Sequence, residues 1–182
     1  MSKFREIDSN LSEQMALLKE EASKLKFKPE YEITLKKHMV NTAFDNLEYS
    51  GIYLFEIKTK PKKYKLYKDW ENEFIKKWRD DRYHGKHTPD LKIKRLSKHS
   101  ELKEWMPLYL GKSKNISKRI EGHLFLGLEK TTFALKLASR ENLYDSVIRI
   151  SAIAINVNNY DLIVPTIESQ FREKTNPIAG KQ

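Results

Sequence analysis

Residues 109–123 read YLGKSKNISKRIEGH, and the rest of the chain is interpreted outward from this stretch. Residues 108–111 are typical of a short strand, and residues 115–124 have the apolar spacing of a helix. Arg119 and His123 are four residues apart, so both project from one face of that helix. In isolation, such a pair is usually a solvated helix face. After a strand that ends in glycine, it instead favours a phosphate site, because a guanidinium binds a phosphate through paired hydrogen bonds.

Apolar periodicity and turn signals divide the remaining chain into helices and strands. Predicted strands cover residues 51–59, 108–111 and 146–156, and predicted helices cover residues 9–27, 30–47, 67–80, 115–124, 131–140 and 163–174. The first two helices would form an N-terminal helical hairpin. From residue 51 onward, this order predicts an α/β (α+β) domain in which a three-stranded sheet lies between helices.

Composition excludes several classes of protein. The chain has 182 residues, 39% of them hydrophobic, which is too much apolar material for a disordered chain. The absence of cysteine excludes a disulfide scaffold, a thiolate zinc site and a cysteine nucleophile. No apolar stretch approaches the ~20 residues that a membrane helix needs, and the first residues lack a signal-peptide core. We therefore expect a cytoplasmic protein without a membrane partner.

A formal net charge of +10 makes nucleic acid the first candidate partner. Residues 60–105 carry +7 of this charge, and aromatic side chains are interleaved with the basic ones. Leu66, Trp70, Phe74 and Trp78 fall at a spacing of four and predict one apolar face of a helix, with the aromatic rings mainly in the core. The cations of the segment remain available for DNA: Lys76, Lys77, Arg79, Arg82, Lys92, Lys94 and Arg95.

Two tripeptides and the run that follows the second one carry a family resemblance. Gly51-Ile52-Tyr53 and Tyr109-Leu110-Gly111 resemble the signature tripeptides of the GIY-YIG nuclease superfamily. Residues 109–123 are similar, in register over fifteen positions, to the family run Y-I-G-K-[ST]-x-N-[LI]-x-x-R-[LI]-x-x-[HY]. Glu168, with Pro177 nine residues later, resembles the family's glutamate and terminal proline.

The resemblance implies a three-stranded antiparallel GIY-YIG sheet and a set of catalytic residues: Tyr53, Tyr109, Arg119, His123 and Glu168. Glu168 would hold Mg²⁺, with Mn²⁺ as a plausible substitute, because one carboxylate plus substrate phosphate is enough for such an ion. Lys112 and Ser113 would contact DNA beside them. No small-molecule cofactor is expected.

The domain organisation follows from the same comparison. Residues 1–50 would be an N-terminal helical extension, and residues 51–182 the nuclease domain, interrupted at 60–105 by a basic, partly helical DNA-contacting insert. The chain ends fourteen residues after Glu168, so we expect no separate DNA-targeting module. Gly180 stands where the family commonly has asparagine.

This arrangement is most like the type II restriction endonucleases of the superfamily. The resemblance therefore predicts a Mg²⁺-dependent endonuclease that cuts double-stranded DNA, as a homodimer if it cuts both strands of a palindrome. Two alternatives remain: a structure-specific or nicking nuclease of repair or a mobile element, and a non-catalytic DNA-binding protein with a nuclease-like fold.

Overall fold

Helices and strands alternate along the chain, which confirms the predicted α/β class. The structure, a computed structural model, describes residues 2–37, 39 and 43–180. The helices are α1 (Lys3–Lys24), α2 (Tyr67–Trp78), α3 (Ile93–Leu96), α4 (Ile116–Phe125) and α5 (Tyr160–Thr175). The strands are β1 (Lys28–Thr34), β2 (Gly51–Lys58), β3 (Asp90–Leu91), β4 (Trp105–Ser113), β5 (Val147–Ala154) and β6 (Ala179–Gly180).

An antiparallel sheet with the strand order β1-β5-β2-β4 forms the centre of the protein. The predicted strands at residues 51–59, 108–111 and 146–156 are confirmed as β2, β4 and β5, although β4 is longer than expected. β2 is central and mostly buried on both faces, in keeping with its isoleucine, leucine and aromatic content. Its register places Tyr53 opposite Gly111 on β4 and opposite Ala152 on β5.

The sheet has four strands rather than the predicted three. The fourth strand, β1, lies in the segment predicted as the second helix of the N-terminal hairpin, so that prediction was wrong. α1 confirms the first predicted helix, but the second one, at residues 30–47, is replaced by β1. His38 and residues 40–42 of that prediction lie outside the described residues. In β1, Tyr31 and Ile33 alternate with exposed glutamates, and the strand pairs with β5. A period of two over so few residues is easily mistaken for part of a helical pattern.

The helix predicted at residues 131–140 was also wrong. The described segment has only short 3-10 turns at Leu137–Ser139 and Glu141–Leu143. Lys136 lies in the left-handed region, with φ of 54°, and its ammonium donates to backbone carbonyls of residues 86, 128 and 130. These hydrogen bonds satisfy the carbonyls of the surrounding loops and stabilise a conformation that is not α-helical.

The two faces of the sheet bury different cores. Ile52 and Leu54 point to a core that α1 and α5 cover, whereas Tyr53 and Phe55 point to a larger one beside α4. This division follows from the two-residue period of a strand. Side chains from the first fifty residues and from the insert also belong to the larger core, among them Leu35, Phe44, Leu47, Trp70, Phe74, Trp78, Leu91 and Leu96.

The insert packs against the larger core through α2 and a short second sheet. The helix predicted at residues 67–80 is confirmed as α2, and Trp70, Phe74 and Trp78 are buried, as predicted. Leu66 was wrongly placed on the same apolar face, because it precedes the helix as its N-cap and is exposed. β3 pairs antiparallel with β6, so that Asp90 lies opposite Gly180 near the end of the chain. α3 follows β3 directly, and Arg95 on α3 donates a long hydrogen bond to the carbonyl of Pro177, which lies just after α5.

Candidate active site

Four of the five predicted catalytic residues line one cleft at the edge of the sheet. Tyr53 extends from β2, Tyr109 from β4, Arg119 from α4 and Glu168 from α5. The cleft has a volume of about 340 Å³, and Lys112 also lines it. Strand pairing and the packing of both helices against the sheet therefore bring together residues that are up to 115 positions apart in the chain.

His123, the fifth predicted residue, lies behind Tyr53 and is fully buried. Its Nε2 is 2.9 Å from Oη of Tyr53, and the Leu135 backbone N–H donates to its Nδ1 at 3.0 Å. Since Nδ1 accepts a hydrogen bond, the neutral ring carries its proton on Nε2. His123 therefore donates to Tyr53 and acts through that phenol, without reaching the cleft itself.

Burial controls the protonation of this cluster. Burial, followed by the neighbouring Arg119 cation, holds the pKa of His123 well below its usual value, so the ring is neutral at pH 7. Burial raises the pKa of both Tyr53 and Tyr109, and Arg119 opposes this rise at each phenol. Arg119 is itself oriented by a hydrogen bond of 2.9 Å from Nη2 to the Phe133 carbonyl.

Gly111 makes room for the Tyr53 hydroxyl. A Cβ at this position would lie only 2.4 Å from Oη and 2.7 Å from Cζ of Tyr53. Real Cβ atoms essentially never come within 3.0 Å of another heavy atom in this way. The glycine of the second tripeptide is therefore required by the tyrosine of the first one, which lies directly opposite it in the sheet.

Glu168 is the carboxylate of the cleft, and both of its oxygens already have cationic partners. Oε2 accepts from Nζ of Lys112 at 2.9 Å, and Oε1 accepts from Nη2 of Arg172, one helical turn further along α5. The carboxylate is 7% exposed, which strengthens both ion pairs relative to surface ones. Sequence reasoning missed Arg172, although its spacing of four from Glu168 was a usable signal.

The donor set of the cleft fits a hard divalent cation only in part. Within the described ranges, no three or more histidine, aspartate or glutamate side chains are grouped closely enough to hold a metal ion. Glu168 could supply one oxygen ligand, which suffices for Mg²⁺ when water and a substrate phosphate supply the others. Its two cationic partners compete for the same oxygens, so one of them must give up its contact first.

The predicted DNA-binding residues divide into two groups. Lys112 and Arg95 line the cleft, and Arg95 reaches it from α3 of the insert. Ser113 forms hydrogen bonds with the backbone of Asn115 at the start of α4. The others do not line the cleft: Lys76, Lys77, Arg79, Arg82, Lys92 and Lys94. Of these, three form ion pairs within the insert, namely Lys77, Arg79 and Arg82.

Neither protein-family models nor curated proteins nor solved structures give a match to this chain. No helix among the described residues is both long and apolar enough to span a bilayer.

Proposed function

We propose that this protein is a Mg²⁺-dependent DNA endonuclease of the GIY-YIG type, which cleaves both strands of DNA as a restriction enzyme does. The observation that supports it best is the meeting of Tyr53, Tyr109, Arg119 and Glu168 in one basic cleft. These are the residues that the resemblance selects, and they come from four separate elements. A cleft with four cations beside two phenols suits a phosphodiester better than a neutral substrate.

In the proposed reaction, the deprotonated form of Tyr53, its phenolate, accepts a proton from water while the water oxygen attacks the phosphorus and displaces the 3′ oxygen of the cleaved bond. Little of a tyrosine is phenolate at pH 7, and burial reduces that fraction further by raising the pKa of Tyr53. Two features oppose this effect, because His123 donates its Nε2 proton to Oη and Arg119 places a cation beside it. His123 is therefore a positioning residue that keeps the oxygen of Tyr53 as an acceptor.

Arg119 stabilises the negative charge that develops on the phosphate, and Tyr109 donates a hydrogen bond to it. Once the Lys112 ammonium gives up its contact with Glu168, it would bind a non-bridging oxygen of the phosphate. Glu168 would hold Mg²⁺, which, when bound, stabilises the charge on the departing 3′ oxygen. Cutting both strands requires two such clefts, and a symmetric homodimer supplies them in opposite orientations.

Incubation of supercoiled and linear plasmid with Mg²⁺ tests the proposal. Discrete fragments from linear DNA are expected, and the Tyr53→Phe and Glu168→Gln variants should lose cleavage while retaining the fold by circular dichroism. Nicks or cuts restricted to supercoiled or branched DNA would instead establish the structure-specific alternative. Tight DNA binding with no cleavage in Mg²⁺ or Mn²⁺ would refute the nuclease proposal. The double ion pairing of Glu168 is the observation that favours this non-catalytic alternative.

A further inference from the structure

A second basic groove opens from the far side of the cleft, between α3 and α5. This groove has a volume of about 230 Å³, and Lys98 lines it together with Asn176 at the end of α5. Arg95 and Arg172 line both the cleft and the groove, so the two spaces are adjacent at these arginines. One carboxylate, that of Glu173, also lines the groove.

Arg95 makes little polar contact with the rest of the protein. Its one hydrogen bond, from Nη1 to the Pro177 carbonyl, is long at 3.5 Å. In the part of the chain that the structure describes, no carboxylate forms an ion pair with it. Burial, and then repulsion from Arg172, lower the pKa of Arg95. Arg95 is partly buried, has no carboxylate partner and lies next to a second arginine, so a bound anion would relieve the repulsion between the two cations.

Gly180 lies beside this side chain, and a Cβ there would be in ordinary van der Waals contact with it. A Cβ at Gly180 would lie 3.4 Å from Nη1 of Arg95 and close to the methylene chain of Lys92. The pairing of β6 with β3 holds the glycine beside the turn that carries Arg95. Residue 180 is the position at which the sequence departs from the family's asparagine. The insert therefore places a guanidinium where the end of the chain has no side chain.

We propose that Arg95 and Arg172 form a second phosphate site, which binds the backbone phosphate adjacent to the one that is cleaved. Because Arg95 is a residue of the insert, the insert then contributes a phosphate-binding side chain to the catalytic cleft. One strand of the nucleic acid would pass from Arg119 over the arginine pair towards Lys98. The location of this site next to the scissile phosphate rests on the proposed function.

The test measures how salt weakens binding of a short, labelled duplex of random sequence, without divalent ions, by fluorescence anisotropy. Each phosphate contact that is lost lowers the slope of log K against log salt concentration by about 0.9. Arg95→Gln is expected to lower it by about this amount, and Arg95→Lys to keep it close to the wild-type value. Arg5→Gln is the matched control, because α1 does not line the cleft or the groove.

An Arg95→Gln variant that is folded by circular dichroism and keeps the wild-type slope would overturn the second phosphate site. Calorimetric titration with inorganic pyrophosphate provides an independent measurement. The wild type and Arg5→Gln should bind it, with binding weakened about tenfold or more in Arg95→Gln; equal binding by all three contradicts the proposal. If Arg95→Gln shows both losses but the wild type never cleaves DNA, the arginine pair is an anion site and only the nuclease proposal fails.

Discussion

Replacing Gly111 by alanine tests whether the sheet register builds the candidate site. The added Cβ would lie 2.4 Å from Oη of Tyr53, whereas ordinary van der Waals contact begins near 3.4 Å, so the hydroxyl must move by about 1 Å. Tyr53 is 1% exposed and has its ring 6.0 Å from that of Phe55, so it cannot turn away into solvent. A shift of this size breaks or lengthens the 2.9 Å contact with His123.

Two magnitudes follow from this displacement. Forcing an extra carbon into a packed core typically costs about 1–3 kcal/mol of unfolding free energy. A misplacement of about 1 Å at a reacting group lowers catalytic rates by roughly 100-fold. Gly111→Ala is therefore expected to unfold at lower urea concentration and to cleave plasmid DNA about two orders of magnitude more slowly than the wild type.

Gly122→Ala is the matched control for this experiment. Gly122 lies on α4 next to His123, and a Cβ there would meet only Cδ1 of Leu126, at an ordinary 3.5 Å. Alanine is favoured over glycine inside a helix by about 0.5–1 kcal/mol, so this variant should be as stable as the wild type or more so. Urea unfolding and single-turnover plasmid cleavage are measured for both variants.

A second substitution identifies the clashing atom. Tyr53→Phe removes Oη, and in the Gly111→Ala background it should recover part of the lost stability, although Cζ remains 2.7 Å from the new Cβ. If Gly111→Ala has wild-type stability and wild-type cleavage, the close approach of these two residues is refuted. If stability falls but cleavage is unchanged, the sheet register holds and Tyr53 has no role in the reaction.

Three further perturbations probe protonation and the attachment of the insert. Burial holds the pKa of His123 below its unfolded value of about 6.5, so acidification below that pH should lower the free energy of unfolding by up to ~1.4 kcal/mol per pH unit. In urea titrations, the free energy of unfolding of His123→Gln should depend less on pH than that of the wild type. Because burial raises the pKa of Tyr53, single-turnover cleavage should rise about tenfold per unit between about pH 7 and 9, and a flat profile would contradict its role as a base. Arg140 is fully buried and donates to two backbone carbonyls, so Arg140→Met should cost about 2 kcal/mol or more in chemical unfolding, whereas Arg82→Met, at an exposed ion pair, should cost less than about 1 kcal/mol.

Local pattern was sufficient for most of the regular elements. β2, β5, α2, α4 and α5 were predicted close to their observed positions, because each has a clear apolar period or a run of strand-forming residues. Pattern failed where local preference was weak. The segment that became β1 is short and mostly exposed, and its pairing with β5, more than a hundred residues away, determines its conformation.

The candidate site divides in a similar way. The motif residues could be selected from the sequence by resemblance, and four of the five, all but His123, line one cleft. Their protonation and pairing could not be predicted, because they depend on atoms far away in the chain. The Leu135 N–H determines which nitrogen of His123 carries the proton, and Lys112 and Arg172 occupy both oxygens of Glu168.

By itself, the sequence determined the α/β class, the central strands, the buried aromatic face of α2 and the basic character of the insert. Each of these features depends only on the types of the residues and on their spacing over a few positions. Only the tertiary structure decided that β1 joins the sheet, that His123 stands behind Tyr53 and that Arg95 enters the cleft beside Arg172. The physical reason is that strand pairing, burial and the field of neighbouring charges are set by contacts between segments distant in sequence, which short-range periodicity does not encode.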